Sequence, residues 1–285
     1  VAEHFHGRYM ARLAKLGLRA DLVEEGFNLA PTAKFLDVRR DGKHANVTVK
    51  LSAGTGELLS YNIYDNGVPL LGSSGRAVQG KNVQTHERVE LTAGINRLEV
   101  TARSTLGIES RRDKREIVNP LTRPKTLYFL GFGVSKYNHA TVNASKYAAD
   151  DVWELGELLK RAGARPPRVL RNSEVTRQEI LAAREWLREA STDDTVVILV
   201  AGHGTRLPER GAEYVFLTYD TDPSRLRETA VPMSMFEELL DGIAPREKLL
   251  LIDTCEAGDD LIMPPGAIDR APFPGLAVPG SMRDR

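Results

Sequence analysis

Two aliphatic runs narrow the folds open to this chain. V-V-I-L-V-A-G-H-G ends on His203 and Gly204, and L-L-L-I-D-T-C-E-A-G contains Cys255. Neither run alternates apolar with polar residues. Each therefore reads as a strand buried on both faces, the kind that builds parallel sheets. In such sheets ligands bind outside the carboxyl ends of the strands. Each run also stops on a residue able to transfer a proton or attack a carbonyl. Neighbouring strands lie roughly 5 Å apart, so an imidazole and a thiol at adjacent strand ends can share a substrate.

The surrounding pattern agrees with that reading. After a proline-bearing linker from Asn119 to Pro124, strand and helix signals alternate. Thr126 to Phe132 reads as a strand. Asn143 to Ala162 reads as an amphipathic helix, with Val152, Leu155 and Leu159 on one face and Gly163 closing it. Arg168 to Leu170 is a short strand, and Thr176-Arg177-Gln178-Glu179 is a capping box opening a second helix. The Val196 strand, a strand from Tyr214 to Leu217, a helix capped by Ser234 and the Leu249 strand follow. This order predicts an α/β unit with an open, mostly parallel sheet and helices on both faces.

Before the linker the period changes to two. Val47, Val49 and Leu51 alternate with Thr48 and Lys50, and Leu98, Val100 and Ala102 alternate with Glu99 and Thr101. Asp65-Asn66-Gly67 and Ala93-Gly94-Ile95-Asn96 supply turns. The expectation is a small all-β sandwich. The run L-T-A-G-I-N-R-L-E-V-T-A-R-S-T-L-G resembles the last two strands of immunoglobulin-like modules in bacterial multidomain proteins. The chain thus divides into a connector or helical arm (1–33, with Met10 to Leu16 helical), the immunoglobulin-like β-sandwich (34–119), an α/β domain (120–263) and a Pro/Gly-rich linker (264–285). Because it opens on Val1, it is expected to be a piece of a longer translation product.

Charge excludes some functions. Lys plus Arg and Asp plus Glu both number 39, so no net charge draws the chain to nucleic acid or anionic membrane. Its apolar runs fall short of the roughly 20 residues of a membrane helix, and Glu3, His4, His6 and Arg8 interrupt any apolar stretch of the kind expected in a signal peptide. One cysteine rules out an internal disulfide and a cysteine-cluster metal site, and fits a cytoplasmic location.

A lone strand-end cysteine is more often an inert buried residue than a nucleophile, and a lone histidine is more often structural. Their pairing changes the odds, with His203 about fifty residues upstream of Cys255, a spacing known from caspases. Asp253-Thr254-Cys255-Glu256-Ala257-Gly258 resembles the D-S-C-H-S-G of metacaspases and their bacterial relatives. Tyr128 to Asn138 (Y-F-L-G-F-G-V-S-K-Y-N) and A-A-D-D-V from Ala148 are similar to the first strand and helix of that bacterial branch. The resemblance to caspase-like cysteine peptidases covers about Thr126 to Asp260.

The resemblance implies a caspase-like fold with Cys255 as nucleophile, His203 as acid and base, and the N–H groups of Gly204 and Cys255 as oxyanion donors. It also implies Asp151 and Asp253 as carboxylates of a pocket for Arg or Lys. The residues themselves offer no third group to orient His203. Such a dyad requires no cofactor. A metal is left unknown, with a calcium response through Asp220, Asp222, Asp259 and Asp260 left open. The expected partners are a protein or peptide substrate, a second chain supplying the missing C-terminal strands, and an upstream sensor domain. Arg283 and Arg285 are candidate processing sites. The alternative is a catalytically silent module acting as a scaffold in a signalling or defence assembly.

Overall fold

The structure, a computed structural model, describes residues 30–207 and 213–256. Its first half is built from eight strands: β1 (Thr32–Asp41), β2 (His44–Ser52), β3 (Leu58–Asp65), β4 (Val68–Pro69), β5 (Arg76–Ala77), β6 (Asn82–Glu90), β7 (Gly94–Ser104) and β8 (Asp113–Asn119). They form a three-stranded sheet, β1-β2-β6, and a five-stranded sheet, β4-β3-β7-β8 with β5 on β3. All pairings are antiparallel. The period-two residues do what their spacing requires. Val47, Val49 and Leu51 of β2 and Leu98, Val100 and Ala102 of β7 join Tyr61 and Ile63 in one apolar core between the sheets. Asn66 and Gly67 both take positive φ, 50° and 87°, as a tight two-residue hairpin demands. The segment expected as a turn at Ala93–Asn96 is shorter, since β7 already begins at Gly94.

The second half contains β9 (Leu127–Gly133), α1 (Ala148–Arg161), β10 (Arg168–Arg171), α2 (Arg177–Leu187), β11 (Thr195–Arg206), β12 (Tyr214–Phe216), a single turn α3 (Leu226–Thr229), β13 (Val231–Pro232), α4 (Met233–Leu240) and β14 (Glu247–Glu256). The sheet order is β10-β9-β11-β12-β13, and β14 pairs with the other edge of β11. One face carries α1, whose Ala148 and Val152 pack with Phe129, Val197, Leu199 and Ala201. The opposite face carries α2 and α4, through Ile180, Leu187, Phe236 and Leu239 against Leu130, Phe132, Ile198 and Val200.

The expected fold class needs correction. Across the described residues the chain is mostly β, with two antiparallel sheets and one mixed sheet, and it does not form the parallel-sheet α/β fold of caspase-like proteins. The long period-two half supplies much of the strand content. In the mixed sheet, β12 and β13 run antiparallel to their neighbours. The connection from Leu207 to Glu213 is shorter than the dozen or so residues of a parallel crossover, so the chain turns back on β11.

Two helix signals are also displaced. The helix expected from Asn143 starts at Ala148, leaving residues 143–147 outside it. Ser234 does not cap its helix; its hydroxyl donates to Glu213 Oε1 at 2.9 Å, and Pro232 holds the cap position. At Thr176 the side chain accepts from Glu179 N as expected. Among the described residues no helix is long and apolar enough to cross a membrane.

The halves meet through a polar junction. Arg246, one residue before β14, donates Nη2 to the carbonyl of Glu90 at 3.0 Å and lies 3.4 Å from Asp65 Oδ2. Ala93 N donates to Asp193 Oδ1, and Ser73 N to Asp241 Oδ1.

Candidate active site

Position 203 and position 255 are brought together by strand register. β11 and β14 pair in parallel from Thr195↔Glu247 to Gly204↔Glu256, with His203 directly opposite Cys255. Register partners in a sheet share a face. Two residues back, Ala201 pairs with Asp253, and Ala201 packs on α1. The positions of His203, Cys255 and Asp253 therefore lie on the α1 face, at the carboxyl end of the sheet.

Glycines set how closely α1 lies on that face. A β-carbon at Gly133 would come within 2.5 Å of the Ala148 carbonyl oxygen and 2.3 Å of Val152 Cγ2. One at Gly131 would come within 2.3 Å of Val152 Cγ1. The spacing Gly131-Phe132-Gly133 thus clears one face for the helix while Phe132 fills the core on the other. This brings the first turn of α1, with Asp150 and Asp151, over the end of β9. Asp151 and Asp253 are both exposed at this end of the sheet. Asp150 lies 3.7 Å from Arg171 Nη1, an exposed pair.

The imidazole is oriented by a group that the sequence reading missed. His203 Nε2 lies 3.0 Å from the backbone carbonyl of Asn143. A carbonyl only accepts, so Nε2 carries the proton, and in the neutral ring Nδ1 is left as the base. A backbone carbonyl leaves no side-chain signature, which is why no residue type pointed to it. The loop holding Asn143 is itself pinned. Ser135 Oγ accepts from Ala149 N at 2.9 Å, and Asn172 Oδ1 accepts from Ser135 N and Lys136 N at 2.9 and 3.0 Å. Asn172 takes φ 48°, a conformation that Asn tolerates better than most residues. In the same loop, Tyr137 stacks on the His203 ring with centroids 5.3 Å apart.

Gly204 has a different reason for being glycine than the one expected. A glycine beside a catalytic histidine can let substrate approach the backbone closely. In the structure a β-carbon there would meet the ring of Tyr214, whose Oη would be 2.3 Å away. That hydroxyl donates to Thr254 Oγ1 at 3.1 Å, tying β12 to β14 across β11. The Gly204 backbone still lies beside Cys255, opposite Glu256.

The other candidates are not gathered into this site. Asp220 accepts from Thr218 Oγ1 at 2.8 Å. Asp222 accepts from both the hydroxyl and the N–H of Ser224, which hold its carboxyl below the usual range. Both serve local turns. Among the described residues no group of three or more His, Cys, Asp or Glu side chains is disposed to hold a metal. Asp259, Asp260, Arg283, Arg285 and the helix expected at Met10 to Leu16 lie outside the described residues.

No family model matches the chain, and no curated protein matches it. Among solved structures it is similar to protein GSU0716 from Geobacter sulfurreducens, at 15% identity and TM-score 0.38, covering 46% of this chain. The matched part spans about half (51%) of that protein. A likeness of this size carries no argument about function.

Proposed function

We propose that this chain is a cysteine peptidase that cleaves after Arg or Lys, with Cys255 as nucleophile and His203 as its acid and base. The observation that carries the reading is the direct pairing of His203 with Cys255 on adjacent parallel strand ends. The Cys255 thiolate attacks the scissile carbonyl and forms an acyl-enzyme. His203, protonated at both nitrogens after taking the thiol proton, gives one to the leaving amine and then draws a proton from water. The N–H groups of Gly204 and Cys255 meet the developing oxyanion. Asp151 and Asp253 suit a guanidinium or ammonium side chain, most of all a guanidinium, which pairs with carboxylates bidentately. The His-Gly and D-x-C motifs add the resemblance to caspase-like peptidases.

A positional-scanning library of fluorogenic peptides tests the reading. Hydrolysis is expected only with Arg or Lys at P1, and is lost in Cys255→Ala and His203→Ala. Asp253→Asn is expected to lower kcat/KM for Arg at P1 by roughly ten- to a hundredfold, the cost of one charged partner. A preference for Asp at P1 removes the acidic pocket and leaves the dyad. If wild type cleaves nothing and an Arg-chloromethylketone leaves Cys255 unlabelled, the chain is no peptidase.

A further inference from the structure

The ladder along β11 has a break, and it falls beside the histidine. On one edge β14 pairs without interruption from Thr195 to Gly204. On the other edge β9 pairs only as far as Ala201, opposite Gly133, and β12 begins at Gly204, opposite Phe216. Gly202 and His203 lie at that gap; the His203 carbonyl accepts from Leu217 N at 2.9 Å, and its N–H has no backbone acceptor there. A buried backbone N–H left there without an acceptor is costly.

The gap is filled by a side chain. After Gly133 the chain leaves β9, keeps one bond to β11 (Val134 N to Ala201 O, 3.0 Å) and turns so that Tyr137 reaches back. The Tyr137 hydroxyl accepts from His203 N at 2.8 Å and donates to the Val134 carbonyl at 3.3 Å. The ring lies nearly parallel to the imidazole, at 18° between planes. Gly202 makes room for this. Its φ is +148°, and a β-carbon there would stand 3.1 Å from Tyr137 Oη and 3.2 Å from the Val134 oxygen.

We infer that Tyr137 is the positioning residue of His203, replacing the missing ladder acceptor of its N–H while its ring sets the plane of the imidazole. The backbone bond fixes where the histidine's Cα stands relative to β14. The stack limits ring rotation, so that when Nε2 is held by Asn143 the Nδ1 atom has one orientation left. The ring face also favours the imidazolium formed when His203 takes up a proton, because an aromatic face attracts cations. Only a neutral phenol does both jobs, since donation to Val134 needs the proton. Burial pushes the Tyr137 hydroxyl well above its ordinary value, so it stays protonated. Phenylalanine would supply the stack without the hydrogen bonds, and leucine would supply neither.

The kinetic consequences rest on the peptidase reading; the effect on the histidine does not. The experiment therefore reads both, on the full chain carrying 15N-labelled histidine, in wild type, Tyr137→Phe and Tyr137→Leu. His203→Gln assigns the His203 signals among the six histidines. Wild type is expected to show the Nε2-protonated tautomer. Tyr137→Phe is expected to lower kcat about tenfold with KM nearly unchanged, the usual size of losing one hydrogen bond to a working group. Tyr137→Leu is expected to lower it further, to mix the two tautomers and to move the acid limb of the pH–rate profile. A residue that only supports the fold would lower Tm and leave tautomer and pH profile alone, and that result overturns the inference. Cleavage by both variants at wild-type kcat and pH profile overturns it as well. If wild type cleaves nothing, the peptidase reading fails, and the tautomers of the two variants still decide the role of Tyr137.

Discussion

The two halves of the molecule reach a buried core by different routes. In the first half, strands such as β2 and β7 put alternate residues inward, and the apolar core between the sheets is completed by side-chain volume. In the second half, β11 is buried along most of its length, and fit depends on what is left out: the missing β-carbons of Gly131, Gly133, Gly202 and Gly204 are occupied by Val152, Ala148, Tyr137 and Tyr214. The difference shows where chemistry can sit. A continuous ladder meets all its own backbone needs. The mixed sheet runs out of ladder at His203, and side chains and a loop carbonyl take over.

The largest effect is expected at the junction that joins the halves. Asp65 is fully buried, and its Oδ1 has no hydrogen-bond partner among the described residues. Arg246→Met removes the cation beside it and should cost about 3–5 kcal/mol, because a buried charge is left uncompensated. Both tryptophans, Trp153 and Trp186, lie in the second half, so their fluorescence reports that half while far-UV circular dichroism reports both. In wild type the two urea transitions should coincide. In Arg246→Met they should separate, as expected when two units lose their coupling. Coincident, unshifted transitions would mean that Arg246 joins nothing.

Within each half the sensitive change has the opposite sign in volume. Leu98→Ala deletes a fully buried side chain of the first core and should cost about 2–5 kcal/mol through lost burial and a cavity. On the proposed peptidase reading it should leave kcat of the folded chain unchanged. Gly133→Ala adds one methyl against the Ala148 carbonyl, a backbone atom that cannot swing away, and should cost about 1–3 kcal/mol through overpacking. This smaller loss should come with a fall in kcat/KM, because the first turn of α1 must lift from the sheet end. Urea melts and steady-state kinetics on both variants test the contrast. Equal kinetic effects would break it.

How much of this was legible depends on whether the signal lay in side-chain pattern or in backbone geometry. The β2 and β7 alternation, the Asn66-Gly67 turn and the β11 and β14 runs were readable because they are periodicities of residue type. The direction of β12 was not, since Tyr214–Phe216 reads as a strand whichever way it runs and only the short loop before it decides. At the site, His203 and Cys255 stood out as chemistry at strand ends. Asn143 acts through a carbonyl that every residue possesses, and Tyr137 works only because β9 and β12 stop short of each other. Neither fact is written in composition. Gly131 and Gly133 were visible as part of a motif, yet their reason, a helix seated against the strand, needed the packing.

The smallest effects compare two buried carboxylates, one from each half, whose protons should move stability in opposite directions. Burial raises the Asp65 carboxyl above its ordinary range, and the Arg246 charge offsets only part of that. Asp194, on the other side of the junction, is also penalised by burial. The N–H groups of Ser191 and Thr126 and the Arg123 guanidinium outweigh the penalty and hold it below the ordinary range. For Asp65 the folded chain binds the proton more tightly than the unfolded chain. Its contribution to stability is therefore present at low pH and lost as pH rises through the folded value. For Asp194 the order is reversed, so its contribution is present above the unfolded value and lost as pH falls through the folded one. Urea unfolding from about pH 3 to about pH 7 should then show Asp65→Asn gaining on wild type as pH rises, and Asp194→Asn falling behind it. Slopes of the same sign would mean that the hydrogen bonds from Ser191 and Thr126 do not outweigh burial at Asp194, and that the junction holds two carboxylates of one kind.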